Sequence, residues 1–296
     1  MHTFHAQSCT ISSLYDKTTG SFQYVLSDDA SAQAVIIDPV LDFDVMAGAT
    51  STQNADLLLN HVLESGLKVI WVLDTHPHAD HFSAAPYLAG KLGARTAIGE
   101  KVREVQALWK GIYCLPDLPT DGSQWDRLLA DGDEIMLGNS RLRVMLSPGH
   151  TLASVTYIGP GCAFVHDTLM MPDAGTSRAD FPRGDAQALY RSIRSILALD
   201  PETQLFVGHD YGPNGREPRE MATVEEQRKD NIHVGGNRTE AEFVALREKR
   251  DATLPLPKLM LHALQVNIRG GRLPELEACG RAFLRIPLDY FTPPAR

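Results

Sequence analysis

Four side chains able to bind a metal ion fall within six residues, His76, His78, Asp80 and His81, in the run Thr75-His76-Pro77-His78-Ala79-Asp80-His81. Residues two apart in an extended turn point the same way. His76, His78 and Asp80 can therefore converge, with His81 addressing a neighbouring point. A loop that needed only solubility and turn chemistry would use Ser, Asn and Gly, so the pattern reads as metal binding. Three more candidates each follow an apolar stretch. His150 comes after Leu142 to Leu146 through Ser147-Pro148-Gly149, Asp167 after Cys162 to Val165, and His209 after Leu205 to Val207 through Gly208. Strand ends on one rim of a sheet are where a rigid scaffold gathers ligands from distant positions. Taken singly each of these is a weak signal; together with the first cluster they form one coherent site. His166, adjacent to Asp167 on a strand, should face the other side. His61 sits on a helix surface, and His2, His5, His233 and His262 lack partners at ligand spacing.

The elements that must hold these residues are legible as alternating strands and helices. Phe22 to Leu26 and Ala34 to Ile37 read as strands, the second stopped by Asp38-Pro39. Leu57, Leu58, His61 and Val62 mark a helix ending near Gly66, and Val69 to Leu73 is an unbroken apolar run of the kind a fully buried strand carries. A helix over Ser83 to Leu92 and a strand near Thr96 to Ile98 follow. Ile135 to Leu137, Leu142 to Leu146, Val155 to Ile158 and Ala163 to Val165 then read as successive strands. Asp185 is a helix N-cap for the face Leu189, Ile193, Ile196 and Leu197. Beyond Tyr211 the texture changes to charged helix formers (Glu217 to Arg250) punctuated by Pro255, Pro257 and Pro293-Pro294. The expected division is 1–212 and 213–296, in an α/β fold of sheet layers covered by helices.

Composition narrows the class further. The chain has 296 residues, enough to bury a large core without disulfides. Its formal net charge of −9 argues against a nucleic-acid groove. No basic-then-apolar leader is visible and no apolar run approaches the roughly 20 residues of a membrane span. The four cysteines are scattered, without a C-x-x-C pair, which suits a reducing compartment. The expectation is a cytoplasmic protein with no membrane or nucleic-acid partner; a homodimer is compatible with the sequence.

With these residues in view, the chain resembles the metallo-β-lactamase superfamily over roughly residues 1–215, and within it the persulfide dioxygenases (sulfur dioxygenases), relatives of glyoxalase II. The resemblance rests on Ile37-Asp38-Pro39-Val40, the His-x-His-x-Asp-His run, Ser147-Pro148-Gly149-His150-Thr151, Arg178-Ala179-Asp180-Phe181 and Gly208-His209-Asp210-Tyr211. It implies an αββα sandwich with a mostly helical C-terminal extension. It also implies one Fe(II) per chain, bound by His76, His150 and Asp167, and oxidation of glutathione persulfide with O₂ to sulfite and glutathione. His78, Asp80, His81 and His209 would surround these ligands or form a vacant second metal position, with Asp80, His81 and His209 in catalytic roles and His78 an additional ligand at most. Arg178 and Tyr211 match positions lining the glutathione site; the plainer reading of Arg178 is an ion pair with Asp173 or Asp180. Two departures stand out: no cysteine occurs in Pro172 to Ser177, where the family carries one, and His166 replaces the usual Gly before the ligand Asp. Zinc on the same residues would instead generate a hydroxide nucleophile, so the alternative is a dinuclear zinc thioester hydrolase of glyoxalase II type.

Overall fold

A computed structural model describes residues 1–291, leaving Pro293-Pro294 outside the described residues. Two sheets lie face to face. The first runs β1 (His2–Ala6), β2 (Cys9–Asp16), β3 (Ser21–Asp28), β4 (Gln33–Ile37), β7 (Lys68–Leu73), β9 (Arg95–Gly99) and β10 (Arg127–Leu129), antiparallel as far as β4 and parallel beyond it. The second runs β11 (Glu134–Leu137), β12 (Ser140–Leu146), β13 (Val155–Gly159), β14 (Cys162–His166), β15 (Gln204–Val207) and β16 (Met221–Thr223), parallel only between β14 and β15. A small sheet, β6 (Ala49–Ser51), β5 (Val40–Asp44) and β8 (Phe82–Ser83), flanks them.

Alternation along the strands sorts side chains between two cores. From β3, Phe22, Tyr24 and Leu26 point into the sandwich. Tyr24 there meets Phe164 and Phe206 edge-on at 5.2 and 5.5 Å. Val25 of the same strand, with Ile36 and Val72, faces Leu58 and Val62 of α1 (Gln53–Glu64) and Leu88 of α2 (Ala85–Leu92). On the other flank, α4 (Ala186–Ile196) buries Leu189, Ile193 and Ile196 against the second sheet, and its Asp185 cap accepts the Ala188 N–H at 2.8 Å. The layered α/β sandwich is thus present. Helix α2 starts two residues later than the sequence suggests, because Phe82 and Ser83 pair with β5. Strands β1 and β2 and helix α3 (Val102–Ile112) were not read from the sequence, although Val102, Val105, Trp109 and Ile112 lie at helical spacing and are buried together.

Two bulges set the phase of the site. Ala34 faces Val69 while Val35 faces Trp71, so Ile70 is an extra residue in β7; likewise Phe164 faces Phe206 while His166 faces Val207, leaving Val165 extra in β14. Each extra residue reverses the side-chain alternation, near the start of β7 and next to the end of β14. The segment after residue 212 supplies β16 and helices α5 (Val224–Asp230), α6 (Glu240–Asp251) and α7 (Met260–Asn267). Helices α5 and α6 each open on a Thr–Glu capping box, Thr223/Glu226 and Thr239/Glu242. Met260 and Leu264 of α7, with Ile268 just beyond it, pack with α3. No helix among the described residues is long and apolar enough to cross a membrane.

Candidate metal centre

His76 follows β7, His150 follows β12, Asp167 follows β14 and His209 follows β15, so strand ends of both sheets deliver the site to one rim. His76 Nε2 lies 3.7 Å and His150 Nε2 3.5 Å from Asp167 Oδ2. Ligand atoms each bound about 2.1 Å from one ion are at most about 4.2 Å apart, and both separations pass. His76 Nε2 is buried without a hydrogen-bond partner, which is the condition of a ligand atom awaiting an ion. The opposite ring nitrogens are occupied. His150 Nδ1 donates to the Arg178 carbonyl at 2.9 Å, and His76 Nδ1 donates at 3.1 Å to the Thr75 hydroxyl, which itself donates to Asp38 at 2.7 Å. These bonds orient each ring with its Nε2 lone pair inward. Burial pushes the pKa of both histidines down, keeping them neutral and able to ligate.

The remaining residues of the run, His78, Asp80 and His81, also lie within ligand distance of one another, with His78 Nδ1 and His81 Nε2 buried without a hydrogen-bond partner. His78 Nε2 donates to Asp38 Oδ1 at 2.9 Å; burial opposes its charge, but the Asp38 carboxylate prevails and raises its pKa to about 9. Asp80 Oδ2 accepts from His81 Nδ1 at 2.7 Å and from Ser21 Oγ at 3.0 Å, and lies 3.3 Å from His209 Nε2. His209 Nε2 is also 3.5 Å from Asp167 Oδ1. Burial works against a charged His209, yet Asp167 and Asp80 hold its pKa well above the usual range. Four ligand groups adjoin among the described residues: His76–His150–Asp167 and Asp80–Asp167–His209, which share Asp167, and His78–Asp80–His81 and Asp38–Asp74–His78, which share His78.

The glycines before two of the histidines have a steric reason. Gly149 has φ +135°, and a Cβ there would stand 2.2 Å from Leu189 N; at Gly208 it would stand 2.4 Å from Asp167 Oδ1. His166, where the family carries Gly, adopts φ +39°, the left-handed region that Gly enters freely. Its Nε2 is 2.8 Å from Thr168 Oγ1 and 3.1 Å from Ser147 Oγ, and its ring lies 5.1 Å from that of His76. Neither it nor His2, His5, His61, His233 or His262 belongs to a ligand group among the described residues.

A cavity of about 640 Å³ opens on the centre, lined by Asp80, His150, Asp167 and His209 at one end and by Met170, Arg178, Phe181, Tyr211, Ile232, Arg247 and Arg250 around it. Tyr211 is exposed and stacks on His209 with ring centres 5.6 Å apart. Arg178 lines this cavity with its guanidinium paired, as its plainer reading has it. Its Nε and one terminal nitrogen bind Asp180 at 2.6 and 2.8 Å, and the other donates to the Pro255 carbonyl at 2.6 Å. An aspartate two residues away on an exposed loop is the closest available acceptor, and it takes the guanidinium fork.

Sequence reasoning missed Asp38, Asn267 and Arg247. Asp38 ends β4 as Asp167 ends β14, so the strand-end rule could have found it. Asn267 donates to the carbonyls of His78 and His81, both at 2.8 Å, and accepts the Ser83 N–H at 2.9 Å. Arg247 is buried in an ion pair with Asp251 and donates to the Thr176 carbonyl at 3.0 Å; Asp251 in turn accepts the Ala179 N–H at 2.9 Å. No local pattern marks either residue.

Comparison with known proteins agrees with this geometry. The chain is 60% identical over 283 residues to the "Beta-lactamase hydrolase-like protein" of Xylella fastidiosa, covering 96% of this chain and 65% of that relative's length. It thus spans under two thirds of that protein. It is 44% identical to "Glyoxylase B2" of Dictyostelium discoideum, covering 90% and 93% of the two chains. Identity to the human "Persulfide dioxygenase ETHE1, mitochondrial" is 30%, covering 87% of each. Residues 19–209 match the Metallo-beta-lactamase superfamily, and the chain belongs to that superfamily.

Proposed function

We propose that the protein is an Fe(II)-dependent dioxygenase that converts glutathione persulfide, O₂ and water to sulfite, glutathione and two protons. The observation that carries this reading is the grouping of His76, His150 and Asp167 within ligand distance of one another, two imidazoles and one carboxylate for one ion. That donor set, with positions left open, is the one non-haem Fe(II) oxygenases use. The human relative named persulfide dioxygenase supports the same choice. Bound iron supplies the electron transfer between sulfur and O₂ that no side chain performs.

The chain's own residues supply orientation and enclosure. The Thr75 hydroxyl and the Arg178 carbonyl hold the Nδ1–H groups of His76 and His150, so the two rings cannot turn their Nε2 atoms away. His209 stands against the second oxygen of Asp167 and keeps that carboxylate aimed at the histidines. Met170, Phe181 and Ile232 give the cavity apolar walls that limit water near the reacting sulfur, and its volume suits a ligand of tripeptide size.

A second reading has its own observation. Asp80, Asp167 and His209 also lie within ligand distance of one another, which would suit a second ion and a thioester hydrolase such as the name Glyoxylase B2 suggests. Oxygen uptake separates the two. Protein loaded anaerobically with Fe(II) should consume one O₂ per sulfite formed from glutathione persulfide and leave S-lactoylglutathione intact. Hydrolysis of the thioester without oxygen uptake would overturn the dioxygenase reading.

A further inference from the structure

Behind Phe181 a second, much smaller cavity of about 20 Å³ lies between α3, α7 and the loop that follows His150, walled by Val105, Trp109, Leu152 and Leu264. Ala79 and Phe181 line both this space and the wide cavity over the metal centre. Phe181 also meets the His150 ring edge-on at 5.1 Å, so it partitions the two spaces directly against a metal ligand. The walls belong to the apolar cluster that joins α3 to α7. Thr151 brings a hydroxyl to the lining, but that hydroxyl is already paired with Ser154 Oγ at 2.8 Å, which leaves the Trp109 N–H. A buried water is held by about two to four polar partners, more than these side chains offer. Apolar cavities of this kind stay dry and take apolar guests, and this one has room for about one small molecule.

We propose that this small cavity is a site for molecular oxygen, and that O₂ reaches the metal centre from it past Phe181. The inference rests on the dioxygenase reading above and gives that reaction's second substrate a place of its own. O₂ is diatomic and apolar, so its transfer from water into an apolar space is favourable. Glutathione persulfide, charged and far larger, cannot enter there. The wide cavity suits the persulfide, and a ligand of that size covers the approach to His150 and Asp167 from that side. A gas held behind Phe181 is not displaced by it and lies against the same histidine.

Dissolved O₂ is paramagnetic and speeds the relaxation of nuclei near it, so it serves as its own probe. Methyl spectra of diamagnetic, zinc-loaded protein are recorded under nitrogen and under oxygen for wild type, Val105→Phe, which fills the space, and Val105→Ala, which enlarges it. Metal content and thermal midpoint serve as controls for folding, and Leu264→Phe is the second filling variant if Val105→Phe does not fold. In wild type the methyls of Val105 and Leu264 should gain more relaxation from O₂ than those of Val69 and Leu118, which are buried to a like degree. The excess at Leu264 should vanish in Val105→Phe and persist in Val105→Ala. With iron bound, Val105→Phe should lower kcat/KM for O₂ severalfold and leave the KM for glutathione persulfide, kcat at saturating O₂ and iron content unchanged. A merely structural effect of the substitution would move those three as well. No excess relaxation at Val105 and Leu264 in wild type, or a kcat/KM for O₂ that filling the space leaves unchanged, would overturn the proposal. Excess relaxation without any oxygen uptake on glutathione persulfide removes the dioxygenase reading and leaves the gas site standing; uptake without excess relaxation does the reverse.

Discussion

Replacing Asn267 by alanine removes three hydrogen bonds that tie α7 to the loop carrying the metal-binding run. The side chain is 3% exposed, so the His78 and His81 carbonyls and the Ser83 N–H would be left without partners in a dry environment. A buried backbone group left unsatisfied costs about 1–3 kcal/mol; three neighbouring groups, partly relaxing together, give about 3–5 kcal/mol. For a chain of this length that is a fall in thermal midpoint of about 6–20 °C. The loop between His78 and His81 should loosen with it, so metal content should fall although no ligand has been touched. Asn267→Asp is the sharper variant. It retains the acceptor for Ser83 but turns the donor into an anionic oxygen facing two carbonyls, and should lose at least as much. Urea denaturation followed by tryptophan fluorescence, with metal analysis of the same preparations, reads both effects. A stability within about 1 kcal/mol of wild type and full metal content in Asn267→Ala would refute the claim that the C-terminal segment holds the site together.

Other substitutions test separate parts of the account. His150→Ala should strip the metal, whereas His209→Ala should retain it and slow turnover about 10–100-fold, the usual scale for losing a partner of a ligand; equal metal loss in both would contradict the roles given to them. Gly149→Ala places a Cβ 2.2 Å from the backbone of Leu189 at φ +135°, and should cost at least about 3 kcal/mol through strain and overpacking combined, seen as a lowered thermal midpoint. Arg247→Ala leaves the buried Asp251 unpaired and should cost about 3–5 kcal/mol in urea denaturation; a change below about 1 kcal/mol would show that the pair does not hold the loop behind His150.

Much of the site was readable because its ligands follow local rules. His76 and Asp167 sit just past apolar strands, and Gly149-His150 and Gly208-His209 pair a ligand candidate with a glycine that close packing demands. The sandwich was readable for a related reason: Val69 to Leu73 is apolar on both faces, and Phe22, Tyr24 and Leu26 make one face of their strand apolar. What escaped depends on contacts distant in sequence. Asn267 meets His78 across 189 positions, and nothing near Asn267 announces a partner there. The bulges at Ile70 and Val165 are likewise invisible as composition, yet they decide which way the residues after β7 and β14 point. Arg178 is a different case. Its alternative partner Asp180 was in plain view, and proximity of two residues outweighed the cavity as a destination for the guanidinium.

The central claim is that one ion sits between His76, His150 and Asp167, with His78 oriented beside it by the bond from its Nε2 to Asp38. Metal analysis of protein purified without oxygen, on wild type and on Asp38→Ala, tests it most directly. The account predicts about one iron per wild-type chain. It also predicts that Asp38→Ala, by releasing His78 and the Thr75 hydroxyl that orients His76, changes the amount or kind of metal held. Two tightly bound zinc ions per wild-type chain, unchanged in Asp38→Ala, would contradict it.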